Sequence, residues 1–113
     1  MKVAGIIIAL LLFFSATSYA QTCISGNCSS GFGKMQYGNG DVYEGEFYDD
    51  KREGFGIYQW KTGEKFLGES IANLFTGFGV MEFSDGTKYI GQFKNGEFDG
   101  EGEKTYSDGV KKT

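Results

Sequence analysis

The chain has 113 residues with 11 basic and 15 acidic side chains, a formal charge of −4, no His and no Pro, but 19 Gly, 11 Phe, 7 Tyr and one Trp. That length suits one small domain with a limited core, and the acidic balance argues against nucleic acid and against an anionic membrane surface, both of which call for a basic footprint. The lack of His excludes Ser-His-Asp and Cys-His catalysis, and so many rings beside so much Gly read as short strands joined by glycine turns, since a disordered chain would carry few aromatics.

Residues 1–20 pose a separate problem. Lys2 gives a short basic start, Val3 to Phe14 are apolar, and Ser18-Tyr19-Ala20 closes the segment with small side chains at the two positions a signal peptidase reads. This three-part pattern predicts a secretory signal helix cut after Ala20, and hence a secreted or periplasmic (cell-envelope) protein. A membrane anchor is the alternative, but the apolar run falls short of the roughly 20 residues a spanning helix needs. Ala20-Gln21-Thr22 before Cys23 also lacks the apolar and small residues of a lipidation signal. Loss of Lys2 with the signal would take the mature chain to −5.

Residues 21–30 are expected to form a loop carrying both cysteines, Cys23 and Cys28, in CISGNCSSGFG. In an oxidising compartment two thiols around a flexible Ser-Gly-Asn segment can close a small disulfide that pins the frayed end of the fold. A metal pair and free thiols are the alternatives, though no second Cys pair or His stands ready to complete a metal set, and the spacing is not the Cys-x-x-Cys of redox enzymes.

From Gly31 onward the chain repeats. Tyr43, Phe66 and Tyr89 are 23 residues apart, and four columns of structural glycines fall into register with them: Gly45/Gly68/Gly91, Gly54/Gly77/Gly100, Gly56/Gly79/Gly102 and Gly63/Gly86/Gly109. Lys65, Lys88 and Lys111 close the units. Four columns at fixed offsets require a shared structural cause, so the domain of residues 31–113 divides into a half unit, 31–42, and full units 43–65, 66–88 and 89–111.

Each unit alternates like a pair of strands. In Tyr43-Glu44-Gly45-Glu46-Phe47 a period of 2 puts Tyr43, Gly45 and Phe47 on one face and the glutamates on the other, and Gly56, Tyr58 and Trp60 share a face in the same way. Glycines between large residues let neighbouring rings lie across bare backbone. Asn39-Gly40, Thr62-Gly63, Asp85-Gly86 and Asp108-Gly109 stand between strands as tight hairpin turns, while the other connection, such as Tyr48 to Gly54, reads as longer and more polar. The fold expected is all-β: a single-layer, curved antiparallel meander of stacked hairpins, about seven strands, with no helix beyond the signal.

Tyr-x-Gly-x-Phe, then Gly-x-Gly and an aromatic, then Asp-Gly, at a 23-residue period from Gly31 to Lys111, resembles the MORN repeat (membrane occupation and recognition nexus), including its occurrence in bacterial secreted proteins. The resemblance implies a sheet of stacked hairpins with no catalytic residues or cofactor of its own, acting as a spacer, a dimerising surface or a contact for partners and sometimes lipids. Where that family often has His, this chain has Glu53, Thr76 and Asp99, which counts against phospholipid headgroups.

No other chemistry emerges. Glu44, Glu46, Glu69 and Glu101 occupy ordinary solvent positions of strands rather than a glycosidase pair, Gly-x-Gly leads into no helix and so makes no phosphate loop, and Asp85 and Asp108 lack the alternating ligands of a calcium loop. Two functions of different class remain: a non-enzymatic interaction scaffold for a protein partner or self-association, and a membrane-surface or phospholipid module, which the charge disfavours because Lys51-Arg52 and Lys111-Lys112 are the only local basic pairs. The candidate contact is Ile71, Leu74 and Phe75, where Ile71-Ala72-Asn73-Leu74-Phe75 replaces the polar segments of the other units and Ser70 replaces Phe47 and Phe93. Those apolar residues either fold back to fill the gap at Ser70 or form an exposed patch for a partner.

Overall fold

The computed structural model describes residues 20–112; the signal helix expected at the start of the chain falls outside them. One antiparallel sheet contains β1 (Gln21–Gly26), β2 (Gly31–Tyr37), β3 (Val42–Tyr48), β4 (Lys51–Gln59), β5 (Lys65–Ile71), β6 (Leu74–Glu82), β7 (Lys88–Lys94), β8 (Glu97–Thr105) and β9 (Lys111–Lys112). Strand order follows chain order, each strand pairing with its sequence neighbours. Seven of the nine strands are those the repeat predicts; β1 and the short β9 are additional. Residues 21–26 are a strand rather than part of a loop, because Cys23 pairs with Met35 and Gly26 with Gly33 across the ladder. All six β1 residues are exposed, so backbone pairing, and not burial, holds that strand.

The two kinds of connection exchange the roles expected of them. At Asn39-Gly40 the hairpin is a three-residue loop: the Gly40 amide donates to the Tyr37 carbonyl (3.0 Å), the Tyr37 amide donates to the Asp41 carbonyl (2.8 Å), and Gly40 alone takes a positive φ, 101°. This is a type I turn closed by a glycine bulge. Gly63, Gly86 and Gly109 repeat it, their amides donating to the Trp60, Phe83 and Tyr106 carbonyls at 3.0, 3.0 and 2.9 Å. The connections read as long and polar are the tight ones. Asp49-Asp50, Ala72-Asn73 and Asn95-Gly96 each adopt two consecutive positive φ values, 51° and 65°, 49° and 72°, 52° and 84°, the signature of a two-residue type I′ turn.

Those tight tips are tied to the preceding unit. The amides of Asp50, Asn73 and Gly96 donate to the carbonyls of Ser29, Arg52 and Phe75 at 3.0, 3.1 and 3.0 Å. The extra length lies instead inside the strands. Gly54, Gly77 and Gly100, expected at the far end of a polar connection, are strand residues of β4, β6 and β8. The ladder slips beside each of them: after Gly45↔Gly56, resuming at Phe47↔Arg52; after Gly68↔Gly79, resuming at Glu69↔Thr76; and after Gly91↔Gly102, resuming at Phe93↔Phe98.

These bulges absorb the three glycines at φ 102°, 67° and 69° and keep the rings of both strands on one face. Gly77 shows why the connection reading fails: it is left out of the ladder with β5 yet pairs with Phe93 of β7 on its other side, so its strand is already running where a loop was expected. Two clusters of buried side chains form the ring face, one of Phe66, Phe75, Tyr89 and Phe93, the other of Cys28, Tyr43 and Phe47, and Tyr58 packs against both.

Candidate interaction surfaces

The aromatic face is built by column. Tyr43 lies over Gly45 and Gly56, its hydroxyl donating to the Glu46 carbonyl (3.1 Å) and within reach of the Phe55 carbonyl (3.4 Å). Tyr89 repeats this with the Gln92 carbonyl (3.3 Å), and Phe66, with no hydroxyl, covers Gly68 and Gly79. Across the tight turns the facing pairs are Phe47↔Arg52, Ser70↔Phe75 and Phe93↔Phe98. Phe75 stacks on Phe66 with ring centres 4.0 Å apart, and Phe98 lies 4.2 Å from Tyr89.

Arg52 occupies the equivalent position in the first full unit, so a guanidinium replaces a ring. It sits 4.9 Å from the centre of Tyr58, 5.7 Å from Tyr37 and 5.8 Å from Tyr43, within the range of cation–π attraction. One of its nitrogens donates to the Tyr37 hydroxyl (2.9 Å) and another to the Asn73 carbonyl (2.7 Å). Beside this group Tyr58 donates to the buried Asp41 carboxylate at 2.7 Å, which also accepts the Lys61 amide at 2.9 Å. Burial pushes the Tyr43 phenol up to about 12 against the opposing pull of Arg52. Burial, followed by the hydrogen bond to Asp41, raises Tyr58 as well. The aromatic face thus satisfies most of its own polar groups: the Tyr43, Tyr58 and Tyr89 hydroxyls donate to carbonyls and a carboxylate and the rings pack on one another, while Arg52 Nε is buried without a hydrogen-bond partner among the described residues.

The segment from Ile71 to Phe75 divides between the faces. Phe75 fills the space above the small, buried Ser70 and is 9% exposed, whereas Ile71 and Leu74, paired at the hairpin tip, are 52% and 46% exposed. Packing therefore accounts for Phe75, and exposure for the other two. The sulfurs of Cys23 and Cys28 lie at bonding distance, 2.14 Å, with Cα atoms 5.9 Å apart. Cys28 is buried against Tyr43 and Phe47, and Cys23 is on the exposed edge strand.

Sequence reasoning missed the face opposite the rings. Phe32, Phe55 and Phe78 point there, 62%, 65% and 61% exposed, each enclosed in a Gly-Phe-Gly triplet at the repeat period. That triplet, read only for its glycines, was the available signal. Beside them the register lines up Ile57, Leu67, Val80 and Ile90 on successive strands. Among the described residues no group of three or more His, Cys, Asp or Glu side chains is placed to hold a metal ion.

The family model for the MORN repeat matches residues 29–42, 43–65, 66–88 and 89–111. The chain belongs to the MORN repeat family. The three full MORN units coincide with those read from the glycine columns, and the opening partial unit begins at residue 29 rather than 31, which brings Ser29, the acceptor for the Asp50 amide, into the repeat. MORN repeats are in general non-enzymatic modules that mediate protein or membrane interactions. No curated protein matches this chain.

Proposed function

We propose that this MORN array is an exported, non-enzymatic scaffold that engages a protein partner. The observation that carries the reading is the pair Ile71 and Leu74, apolar and half-exposed at a hairpin tip where the neighbouring tips present Tyr48 with Lys51 and Lys94 with Glu97. An apolar pair left half-exposed while Phe75 beside it is buried adds little to the core and is the kind of surface a partner covers. Export is supported by the signal pattern of residues 1–20, and the net negative charge favours a protein over an anionic lipid surface.

The test is affinity capture from the envelope fraction of the producing cell with wild-type protein and with Ile71→Ser plus Leu74→Ser. The expected result is a captured protein lost in the variant while its melting temperature stays within about 1 °C of wild type, as surface substitutions allow. Identical capture by both would sink the reading. Intact mass of the protein from the same fraction should correspond to a chain starting at Gln21, and a mass retaining residues 1–20 would refute export by cleavage.

A further inference from the structure

The face opposite the rings carries a two-row apolar stripe interrupted by acids at regular intervals. In the first row Phe32, Phe55 and Phe78 lie on β2, β4 and β6. Glu46 separates the first two, paired with Phe32 and accepting the Phe55 amide at 2.8 Å. Glu69 pairs with Phe55 on its other side. The second row is Ile57, Leu67, Val80 and Ile90, bounded by Glu44 and Glu103. A hollow lies between Phe32 and Phe55, with Glu46 among its lining residues. The sheet has one layer, so nothing within the described residues covers this stripe.

We propose that this stripe is the docking surface for a basic amphipathic helix of a partner protein, laid across the strands; the proposal rests on the scaffold reading above. Spacing rules out an extended strand, and the lack of donors on the phenylalanine row favours a helix over polyproline. Adjacent strands are about 4.8 Å apart, so phenylalanines on alternate strands recur at about 9.6 Å. A helix rising 1.5 Å per residue brings positions i, i+7 and i+14 to nearly the same side at about 10.5 Å intervals, one apolar residue for each phenylalanine. A second apolar position per heptad meets the aliphatic row.

An extended strand laid the same way repeats its faces at about 6.6 Å and falls out of step. A polyproline helix repeats at about 9.3 Å but leaves its carbonyls in need of donors, which Phe cannot supply. Charge selects a basic partner: Glu46 and Glu69 fall midway between the phenylalanines, where the intervening helical turns of the partner would place Lys or Arg. A second copy would set these glutamates against one another, and an anionic membrane would repel them.

The probe is a synthetic three-heptad peptide with Leu at the a and d positions and Lys elsewhere, titrated into the purified full-length chain as the cell delivers it. Its control has the same composition in an order that forms no stripe. The expected result is binding of the patterned peptide at least tenfold tighter than the control. Phe55→Ser with Phe78→Ser, which leaves the charge unchanged, should weaken that binding tenfold or more. Glu46→Gln with Glu69→Gln provides a second variant that keeps the apolar row and should flatten the salt dependence. Equal binding of the two peptides, or binding indifferent to both variants, overturns the proposal. Phenylalanine-dependent binding to phosphatidylcholine vesicles, or phenylalanine-dependent self-association, in place of peptide binding overturns it in favour of a lipid surface or a second copy. If the stripe fails while the Ile71/Leu74 variant still loses its captured protein, the scaffold reading stands without it.

Discussion

A Cβ added at Gly56 would come within 2.6 Å of Cε1 of Tyr43, and one at Gly68 within 2.7 Å of Cζ of Phe66, whereas one at Gly109 would meet nothing within 4 Å. The glycine columns therefore have two origins. Those of Gly45 and Gly56 make room for rings, while those of Gly54 and Gly63 supply positive φ at bulges and turns. Gly56→Ala should lower stability by about 1–3 kcal/mol through overpacking, and Glu69→Gln by less than about 0.5 kcal/mol; urea unfolding of both variants checks the difference. Tyrosine ionisation sets a second expectation. The Tyr43 phenol, near 10 in an unfolded chain, titrates at about 12 in the fold, so its contribution is complete below pH 10 and is lost as pH rises from 10 to 12. The melting temperature should fall across that window, and Tyr43→Phe should shallow the fall.

At the scale of the hairpin, the β5–β6 tip separates two side chains that adjoin in the sequence. Phe75 enters the aromatic stack beside Phe66 and Leu74 does not. Phe75→Ser should cost about 3–5 kcal/mol, the range for emptying a buried Phe site, and Leu74→Ser under about 0.5 kcal/mol. Equal losses would place both side chains in the core. The repeat and the facing of each strand were legible because Gly and ring columns recur at one interval with period-2 alternation. The turn classes were not, since Asn39-Gly40 looks like a two-residue turn while Asp49-Asp50 and Ala72-Asn73 lack the glycine such turns favour. Their conformation is held from outside, where Asn73 receives the Arg52 amide on its side chain (2.9 Å) and the Ala72 amide donates to Glu53 (3.1 Å). The bulge at Gly77 was hidden for a related reason: a glycine that follows a short connection reads as its end, and only the pairing with Phe93 puts it inside the sheet. Arg52 was equally hidden, because a charged residue in a ring column reads as a solvent position until its three tyrosines are in place.

Across the whole molecule the disulfide acts at one end. Closing so short a loop is worth about 2 kcal/mol, and it joins a strand with no buried side chains to a buried sulfur. Reduction should speed hydrogen exchange in Gln21–Gly26 while Phe66–Gly68 and Tyr89–Gly91 remain protected; uniform loss of protection would mean that the end governs the whole sheet. β1 was illegible in the sequence because QTCISG contains no residue of the repeat, whereas the outward phenylalanines carried a signal in their Gly-Phe-Gly triplets that flanking glycines masked by suggesting backbone rather than surface. The acidic balance also predicts little binding to anionic vesicles and no gain at low salt, which vesicle co-sedimentation at two salt concentrations measures.

Strand order equal to chain order has a consequence for how the protein comes into being. Every strand finds its ladder partner in the segment delivered just before it, so the largest loop that must close at any step is a turn. A chain released N-terminus first, from a ribosome or through a channel, can add its sheet one strand at a time without waiting for a distant segment. The bond from each hairpin tip to the preceding unit then acts as a ratchet, locking one unit before the next appears. Pulled from its ends, the same array should yield in steps of a strand pair rather than in a single break.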